Sequence, residues 1–447
     1  MGNWKLLVED YGKIKSAEIE IAPLTLFVGD NNSGKSYLLS LLWGIENLGI
    51  ETILGDDFME MEQAESLKQW IWKQIDIAIE TKENIVSISS VSDMMEELLN
   101  LQLEKNKNRF VKSIFNSEDV EIGRLVIKFT DIKKQNIYFK MNENETMKIY
   151  VDQQENNILI YDVKTNGNGL RKLTNVNMAF ITLLYYLVMG IEKNEEGYIY
   201  LPSARTGFML TKDVINKVGR KNTFNILEEK ELITPFVRPI NQFLDIIGDL
   251  SIEDTGSEKI VKLVESLESE VVDGTVEISN MPNKEVMYVP HGYDKGIPLR
   301  LASAVVSELS PFILILKHKE NIDRFYYEEP EMCLHPQLQY KMGKIIGRVV
   351  NNGIGMVITT HSDIILQHIN NMIKLSEHEN REEICKKFGY SEQDLLNCKN
   401  VKVYQLQTQN AGKTEVKELL CGLNGFAVPT FNNALNVIMN EAYEIQG

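Results

Sequence analysis

The sequence is poor in cysteine and in long apolar runs, and it has fewer basic than acidic residues. Only four cysteines occur among 447 residues and none form a Cys-x-x-Cys pair, so we expect neither a zinc site nor a disulfide framework. Such low cysteine use is typical of a reducing, cytoplasmic environment. The 47 Lys and Arg residues against 64 Asp and Glu residues give a net charge of −17, which excludes a surface that binds nucleic acid over its whole area.

The longest uncharged apolar run covers residues 178–191 (MAFITLLYYLVMGI) and is shorter than the roughly 20 residues that cross a bilayer. We therefore expect a buried helix there and no membrane contact. The N-terminal residues include early acidic side chains and no apolar signal region. With 43% apolar and 25% charged residues, the composition is that of a folded protein with about three domain-sized units.

Residues 29–36 read GDNNSGKS and fit the pattern G-x-x-x-x-G-K-[ST] of a phosphate-binding loop. The stretch 17–29 predicts two strands, and leucines at helical spacing after the loop predict a helix. In a strand–loop–helix unit, backbone N–H groups and the positive helix end surround a phosphate chain. The alternative, a surface turn rich in Gly and Asn, does not account for these flanking elements. The sequence thus predicts a nucleotide site formed by Gly29, Asn31, Asn32, Ser33, Gly34, Lys35 and Ser36.

A second group of polar residues follows two further apolar stretches. Residues 325–336 read FYYEEPEMCLHP, which predicts a buried strand with Glu328 and Glu329 at its carboxyl end, where ligands bind in open α/β sheets. One carboxylate can hold the water shell of Mg²⁺, and the next can polarise an attacking water. Residues 357–362 (VITTHS) predict another strand that ends at His361, a candidate γ-phosphate sensor. Alone, each motif would be more typical of a solvated surface.

Together these segments resemble ABC-type ATPases of the SMC, RecF and OLD-like branch, whose prokaryotic members are often labelled AAA family ATPases. The resemblance rests on GDNNSGKS, EEPEMCLHP and TTHSD, and it extends to residues 199–208, residues 299–318 and the C-terminal tail. It implies an α/β fold, namely a P-loop NTPase with an ABC-type head, in which a mixed sheet is flanked by helices and carries an inserted helical lobe.

The resemblance also implies a role for each matching residue. Lys35 and Ser36 would bind the ATP phosphates and the Mg²⁺ ion. Glu328 would occupy the Walker B position on the metal side. Glu329 would be the catalytic base and His361 the switch histidine. Ser303 would cap the γ-phosphate held by a second copy of the chain. Residues 334–336 would lie at the seam between the two copies.

Some residues depart from the family pattern or add to it. In the segment that matches the signature helix of the family, residues 302–305 (ASAV) stand where the family has a serine–glycine core. Ala304 lacks the conformational freedom of glycine. Glu328 stands where the family usually has Asp. These departures bear on fast turnover more than on ATP binding. Arg205 has two interpretations: it approaches phosphate or a partner subunit, or it pairs with an acidic residue and anchors a loop.

The long interval between the two motifs predicts insertions in the ATPase core. We expect residues 1–54 to form the N-terminal part of the core and residues 55–175 to form a helical insertion and an antiparallel β unit. Residues 176–210 would be a further core segment, residues 211–275 a helical insertion, and residues 276–447 the C-terminal part of the core. No heptad pattern persists over the length of a coiled coil, so we expect a compact lobe.

Two short groups of basic residues are the places where DNA contact would be tested first. The alternative, a solvated helix face, is the more common explanation of such runs. The first group is Lys105, Lys107, Arg109 and Lys112, and the second is Lys212, Lys217, Arg220 and Lys221.

The leading hypothesis is Mg²⁺-dependent ATP hydrolysis by a head-to-head dimer or higher oligomer. Its nucleotide-gated closure would control a separate effector, such as a nuclease or toxin, in bacterial anti-phage defence; the resemblance alone implies this role. The segment after His361 has no DxD motif and is shorter than the Toprim domain of OLD-type nucleases, which favours an effector on another chain. Two alternatives stay open: a non-hydrolysing, ATP-bound scaffold that holds an effector inactive, and a RecF-like DNA repair ATPase.

Overall fold

A computed structural model gives the architecture of the chain. The parts of the chain that the structure describes are residues 4–48, 52–54, 62–130, 135–141, 146–152, 159–162, 181, 183–184, 197–223, 236–251, 256–279, 285–409, 412–422, 425–427 and 439–445. The predicted helix at 178–191 lies almost wholly outside them.

Strands and helices alternate along much of the described chain. The strands are β1 (Trp4–Tyr11), β2 (Ile14–Glu20), β3 (Leu24–Gly29), β4 (Glu83–Ser87), β5 (Ile122–Phe129), β6 (Asn136–Met141), β7 (Thr146–Val151), β8 (Leu159–Asp162), β9 (Tyr198–Leu201), β10 (Gly274–Ile278), β11 (Val286–Pro290), β12 (Ile297–Pro298), β13 (Arg324–Glu328), β14 (Gly355–Thr360), β15 (Val401–Thr408) and β16 (Thr414–Leu419). The main helices are α1 (Lys35–Asn47), α2 (Glu62–Thr81), α3 (Ser89–Phe115), α4 (Arg205–Thr223), α5 (Arg238–Asp249), α6 (Glu258–Leu267), α7 (Ala304–His318), α8 (Pro336–Asn351), α9 (Asp363–Ser376) and α10 (Arg381–Phe388).

The first of two compact units comprises Met1–Ile21, Ile45–Lys112 and Asp119–Glu195. In it β5, β1 and β2 pair antiparallel in that order, and β4, β6, β7 and β8 form a separate antiparallel sheet. Strand β1 alternates buried with less buried side chains, as expected where one face of an antiparallel sheet packs on a core. Helix α3 is fixed to β5 because the Asn100 amide bonds both the N–H and the C=O of Ile127.

In the second unit, Ala22–Gly44, Ser113–Glu118 and Glu196–Gly447, six of the described strands pair in the order β16–β15–β3–β14–β13–β9, and β10, β11 and β12 form a separate antiparallel sheet. Within the six-stranded part, all neighbours pair parallel except β15 and β16. Every residue of β3, β9, β13 and β14 is buried, which explains why these strands are continuous apolar runs rather than alternating ones. Because the strands are parallel, the carboxyl ends of β3, β9, β13 and β14 meet at one edge of the sheet.

Helix α7 is the central helix of the second unit's core. Twelve of its fifteen residues are buried, so it is covered around nearly its whole circumference. Phe312 packs edge-on to Phe325 and is tilted against Tyr327, with 5.2 Å between ring centroids in both pairs. The helix is thereby packed against β13, the strand that ends in the two glutamates.

One expectation from composition is wrong. Cys398 and Cys421 form a disulfide. Cys398 lies three residues before β15 and Cys421 two residues after β16, and the antiparallel pairing of these strands, with Val403 opposite Leu419, brings these two ends together. In the part of the chain that the structure describes, no helix is both long and apolar enough to span a membrane.

Candidate functional site

The phosphate-binding loop follows β3 directly and leads into α1. Gly29 has φ of 140°, and a Cβ there would lie 2.1 Å from the carbonyl oxygen of Leu406 on the neighbouring β15. Gly34 has φ of 100°, in the region that favours glycine. The N–H of Leu38 donates to the Gly34 carbonyl at 3.1 Å, so the helix starts at the end of the motif. The loop conformation thus depends on both glycines of the pattern.

The side chains of the loop differ in exposure. Asn31, Asn32 and Ser36 are exposed, whereas Ser33 is fully buried. Among the described residues, no protein atom bonds the Ser33 hydroxyl. A buried hydroxyl without a protein partner, exposed amides and a hydroxyl at the start of α1 form an oxygen- and donor-rich set suited to a phosphate chain and its cation.

Lys35 is buried, and its ammonium donates to the carbonyl oxygens of Gly29 at 3.1 Å and Asp30 at 2.7 Å. Burial lowers the pKa of Lys35 to about 8, while the charges of Glu329, Asp30 and Glu331 oppose that shift. The loop lysine and the carboxylates that follow β13 are therefore close enough to interact electrostatically, although they are far apart in the sequence.

Glu328 is the last residue of β13 and is buried. Its Oε1 accepts a hydrogen bond from the Tyr200 hydroxyl at 2.7 Å, and its Oε2 accepts one from the Ser203 N–H at 2.8 Å. Both donors come from β9 and the turn after it. Carboxylates that bind metals are commonly held by such outer hydrogen bonds, which fix their orientation.

Glu329 follows with a left-handed backbone, φ 44°, which costs a residue with a Cβ about 1–2 kcal/mol. Its N–H donates to the Thr359 carbonyl at 2.9 Å, which ties it to β14. Burial and the charge of Glu328 raise the pKa of the Glu329 carboxyl, and the charges of Lys35 and Arg205 lower it. A raised pKa moves a carboxylate toward the range of an effective general base.

His361 follows β14, and its Nε2 lies 4.0 Å from Oε1 of Glu329. Burial and the charge of Lys35 lower the pKa of His361, which favours the neutral ring. The structure therefore brings together three of the predicted residues at the sheet edge: Lys35, Glu329 and His361.

Sequence reasoning missed Glu331, the third carboxylate of the EEPE run. Its Oε1 accepts the N–H of His361 at 2.6 Å, and its Oε2 accepts the Thr360 hydroxyl at 2.9 Å. Burial raises the pKa of Glu331. The available signal was an acidic residue two positions after the carboxylate pair at the end of the strand. Nothing in the sequence indicated that it would bond the backbone of the histidine.

Ser303 is the residue that caps the N-terminus of α7. It is exposed, and its Oγ accepts the Val306 N–H at 3.4 Å as a helix cap. Among the described contacts, none joins Ser303 to the loop, Glu329 or His361. Ala304 is the first residue of this α-helix and has no positive φ.

The chain matches a family described as the AAA ATPase domain over residues 4–366. It belongs to this family of AAA ATPases. The prediction of an AAA family ATPase is thereby confirmed, and the predicted mixed α/β P-loop fold is confirmed by the sheet and loop described above. Membership of this family implies nucleotide binding. The predicted domain boundaries and the roles of single residues stay predictions.

Solved structures of SMC head domains are also similar to the chain. An SMC head bound to the C-terminal winged-helix domain of ScpA is 11% identical, with a TM-score of 0.39 over 93% of this chain and 97% of that one. The SMC head with an extended coiled coil bound to the C-terminal domain of ScpA from Pyrococcus furiosus is 12% identical, with a TM-score of 0.38 over 99% of both chains. The SMC head of Thermotoga maritima is 12% identical, with a TM-score of 0.34 over 93% and 98%. TM-scores this low carry no argument about this AAA ATPase. No curated protein sequence matches it.

Proposed function

We propose that this AAA ATPase binds ATP with Mg²⁺ and hydrolyses it at the edge formed by β3, β13 and β14. One observation carries the proposal: Lys35, Glu329 and His361 lie at one sheet edge, with Glu329 fixed on a left-handed turn. In the proposed reaction Lys35 binds the β- and γ-phosphates, and Glu329 orients and activates the attacking water. His361 senses the γ-phosphate.

Ser36 and Glu328 are the residues we propose for the metal side. Both offer oxygen ligands, which Mg²⁺ prefers, and Mg²⁺ usually takes only one or two protein ligands beside substrate phosphates and water. Glu328 is already oriented by Tyr200 and Ser203. When bound, the cation supplies charge neutralisation at the phosphates.

We also propose that ATP joins two copies of the chain. Ser303 is exposed at the N-terminus of a fifteen-residue helix, where free N–H groups and the helix dipole favour a phosphate. A γ-phosphate held by the loop of one copy would meet Ser303 of a second copy. Binding would then close the dimer and hydrolysis would open it. We further propose that this cycle acts on a separate effector in anti-phage defence, for which the motif resemblance is the only support.

The experiment compares the wild-type protein with Lys35→Ala and Glu329→Gln. We expect Lys35→Ala to lose ATP binding, and Glu329→Gln to keep binding while losing turnover. Mass measurement should find an ATP-dependent dimer that persists in Glu329→Gln. A matched control is Lys344→Ala, which removes another buried lysine. Lys344 lies on α8, donates to the Gly389 carbonyl and is not part of the site.

Two results would contradict parts of the proposal. Wild-type ATP affinity in Lys35→Ala would remove the loop from the nucleotide site. Equal, near-zero turnover in the wild type and Glu329→Gln, with tight binding in both, would favour the alternative of a non-hydrolysing scaffold.

A further inference from the structure

Arg205, the first residue of α4, has no solvent exposure. Its guanidinium donates four hydrogen bonds to backbone carbonyl oxygens and also forms an ion pair with Glu308. Nε donates to the Glu308 carbonyl at 3.2 Å, and Nη1 donates to the carbonyls of Pro202 at 2.7 Å and Glu328 at 2.6 Å. Nη2 donates to the Glu329 carbonyl at 3.1 Å and pairs with Glu308 Oε1 at 2.8 Å. This resolves the two interpretations in favour of the loop anchor.

The arginine holds the backbone on which Glu329 depends. The Glu329 peptide is fixed on both sides, since its N–H donates to Thr359 and its carbonyl accepts from Arg205. A left-handed conformation in a residue with a Cβ persists only where surrounding contacts enforce it. Because the Glu329 side chain leaves from this turn, a shift of the turn would displace the carboxylate.

Glu308 connects the same arginine to α7. Its carboxylate is almost fully buried, and Oε2 accepts both the N–H of Thr206 at 2.9 Å and its hydroxyl at 2.6 Å. The Tyr327 ring lies 4.7 Å from the Arg205 guanidinium and covers it. A buried ion pair is weak evidence for stability, since apolar side chains of equal volume often stabilise a core as well. What this pair does directly is hold Arg205 against the Glu329 carbonyl, so it acts on the conformation of that turn.

We propose that Arg205 is a positioning residue for hydrolysis. It holds Glu329 in the left-handed conformation and, through Glu308, couples that conformation to α7, the helix that presents Ser303. This rests on the proposed ATPase function. A movement of α7 on engagement of Ser303 by a second copy would then change the position of the Glu329 carboxylate. Lysine cannot replace the arginine, because its three donors on one nitrogen cannot span the four carbonyl oxygens and the carboxylate of Glu308.

The test compares Arg205→Lys with a matched control, Arg348→Lys. Arg348 is also mostly buried and pairs with Asp394 at 2.6 Å and Glu270 at 2.8 Å. Melting temperature, ATP affinity, kcat and KM are measured for both variants. We expect both to be destabilised, but only Arg205→Lys to lose kcat, by about 10- to 100-fold, with KM and ATP affinity within about threefold of wild type.

The double variant Arg205→Lys/Glu329→Gln separates positioning from general loss of structure. If Arg205 acts through Glu329, Arg205→Lys should lower turnover no further once Glu329 is replaced. If Arg205→Lys does not fold, Glu308→Asp takes its place in the test. This variant keeps a carboxylate paired with Arg205 but on a shorter side chain, and we expect the same loss of kcat with little change in KM.

The outcomes distinguish this inference from the function on which it rests. Glu329→Gln hydrolysing ATP as fast as wild type would overturn the proposed function. The positioning role alone would be overturned if turnover needs Glu329 but is unchanged in Arg205→Lys. It would also be overturned if Arg348→Lys lowers turnover as much as Arg205→Lys does. Additive losses in the double variant would also overturn it.

Discussion

The buried lysine of the phosphate-binding loop makes a quantitative prediction about pH. With the pKa of Lys35 at about 8, about half of these side chains are uncharged at pH 8 before nucleotide binds. Triphosphate charges favour the protonated lysine, so binding should take up about half a proton at pH 8, about 0.1 at pH 7 and about 0.9 at pH 9. ATP affinity should therefore fall about tenfold from pH 7 to pH 9.

Isothermal titration calorimetry at fixed pH, in two buffers of different ionisation enthalpy, measures this proton uptake. Glu329→Gln provides the decisive comparison. Because the charge of Glu329 raises the pKa of Lys35, its removal should shift the uptake profile to lower pH. Glu418→Gln, which removes an exposed carboxylate that pairs with Lys402, should leave the profile unchanged. The reasoning would be refuted if ATP binding takes up no protons between pH 7 and 9. It would also be refuted if wild type and Glu329→Gln give identical proton-uptake profiles, because Lys35 and Glu329 would then not share one pocket.

Three further substitutions test other parts of the site. Tyr200→Phe removes the hydroxyl that orients Glu328 and should raise the Mg²⁺ concentration for half-maximal turnover by about tenfold or more. Glu331→Gln weakens the charge-assisted bond to the His361 N–H and should lower kcat about tenfold with KM little changed. Ser303→Asp keeps a helix-capping oxygen but adds a negative charge, so the fold should persist while ATP-dependent dimers, measured by mass, are lost.

Each of these predictions has a result that contradicts it. An unchanged Mg²⁺ requirement in Tyr200→Phe would mean that Glu328 does not act on the metal side. A rise in KM alone in Glu331→Gln would assign that residue to binding. Dimers of Ser303→Asp that form with ATP as in the wild type would separate α7 from the dimer seam.

The strand–loop–helix unit and the two strand ends could be predicted because their signals are local. Gly29 and Gly34 occupy backbone positions that a Cβ would disrupt, and the apolar runs before Glu328 and His361 are fully buried parallel strands. Parallel pairing then places the carboxyl ends of these strands at one edge of the sheet. Because ligands of open α/β sheets bind at that edge, the motif residues could be expected to meet there.

The remaining contacts could not be predicted because they join residues through tertiary structure. Tyr200 reaches Glu328 only because β9 pairs beside β13, and nothing local marks it as a donor. Arg205 left two interpretations open, since its acceptors come from three separate segments of the chain. The Cys398 disulfide depended on the pairing of β15 with β16, which a cysteine count does not reveal.

An experimental structure of Glu329→Gln with ATP and Mg²⁺ would show directly whether the loop and the two strand ends form one nucleotide site. We expect a γ-phosphate in contact with Lys35 Nζ, with residue 329 and His361 beside it. A triphosphate bound elsewhere, or bound at the loop with residue 329 and His361 remote from the γ-phosphate, would contradict it.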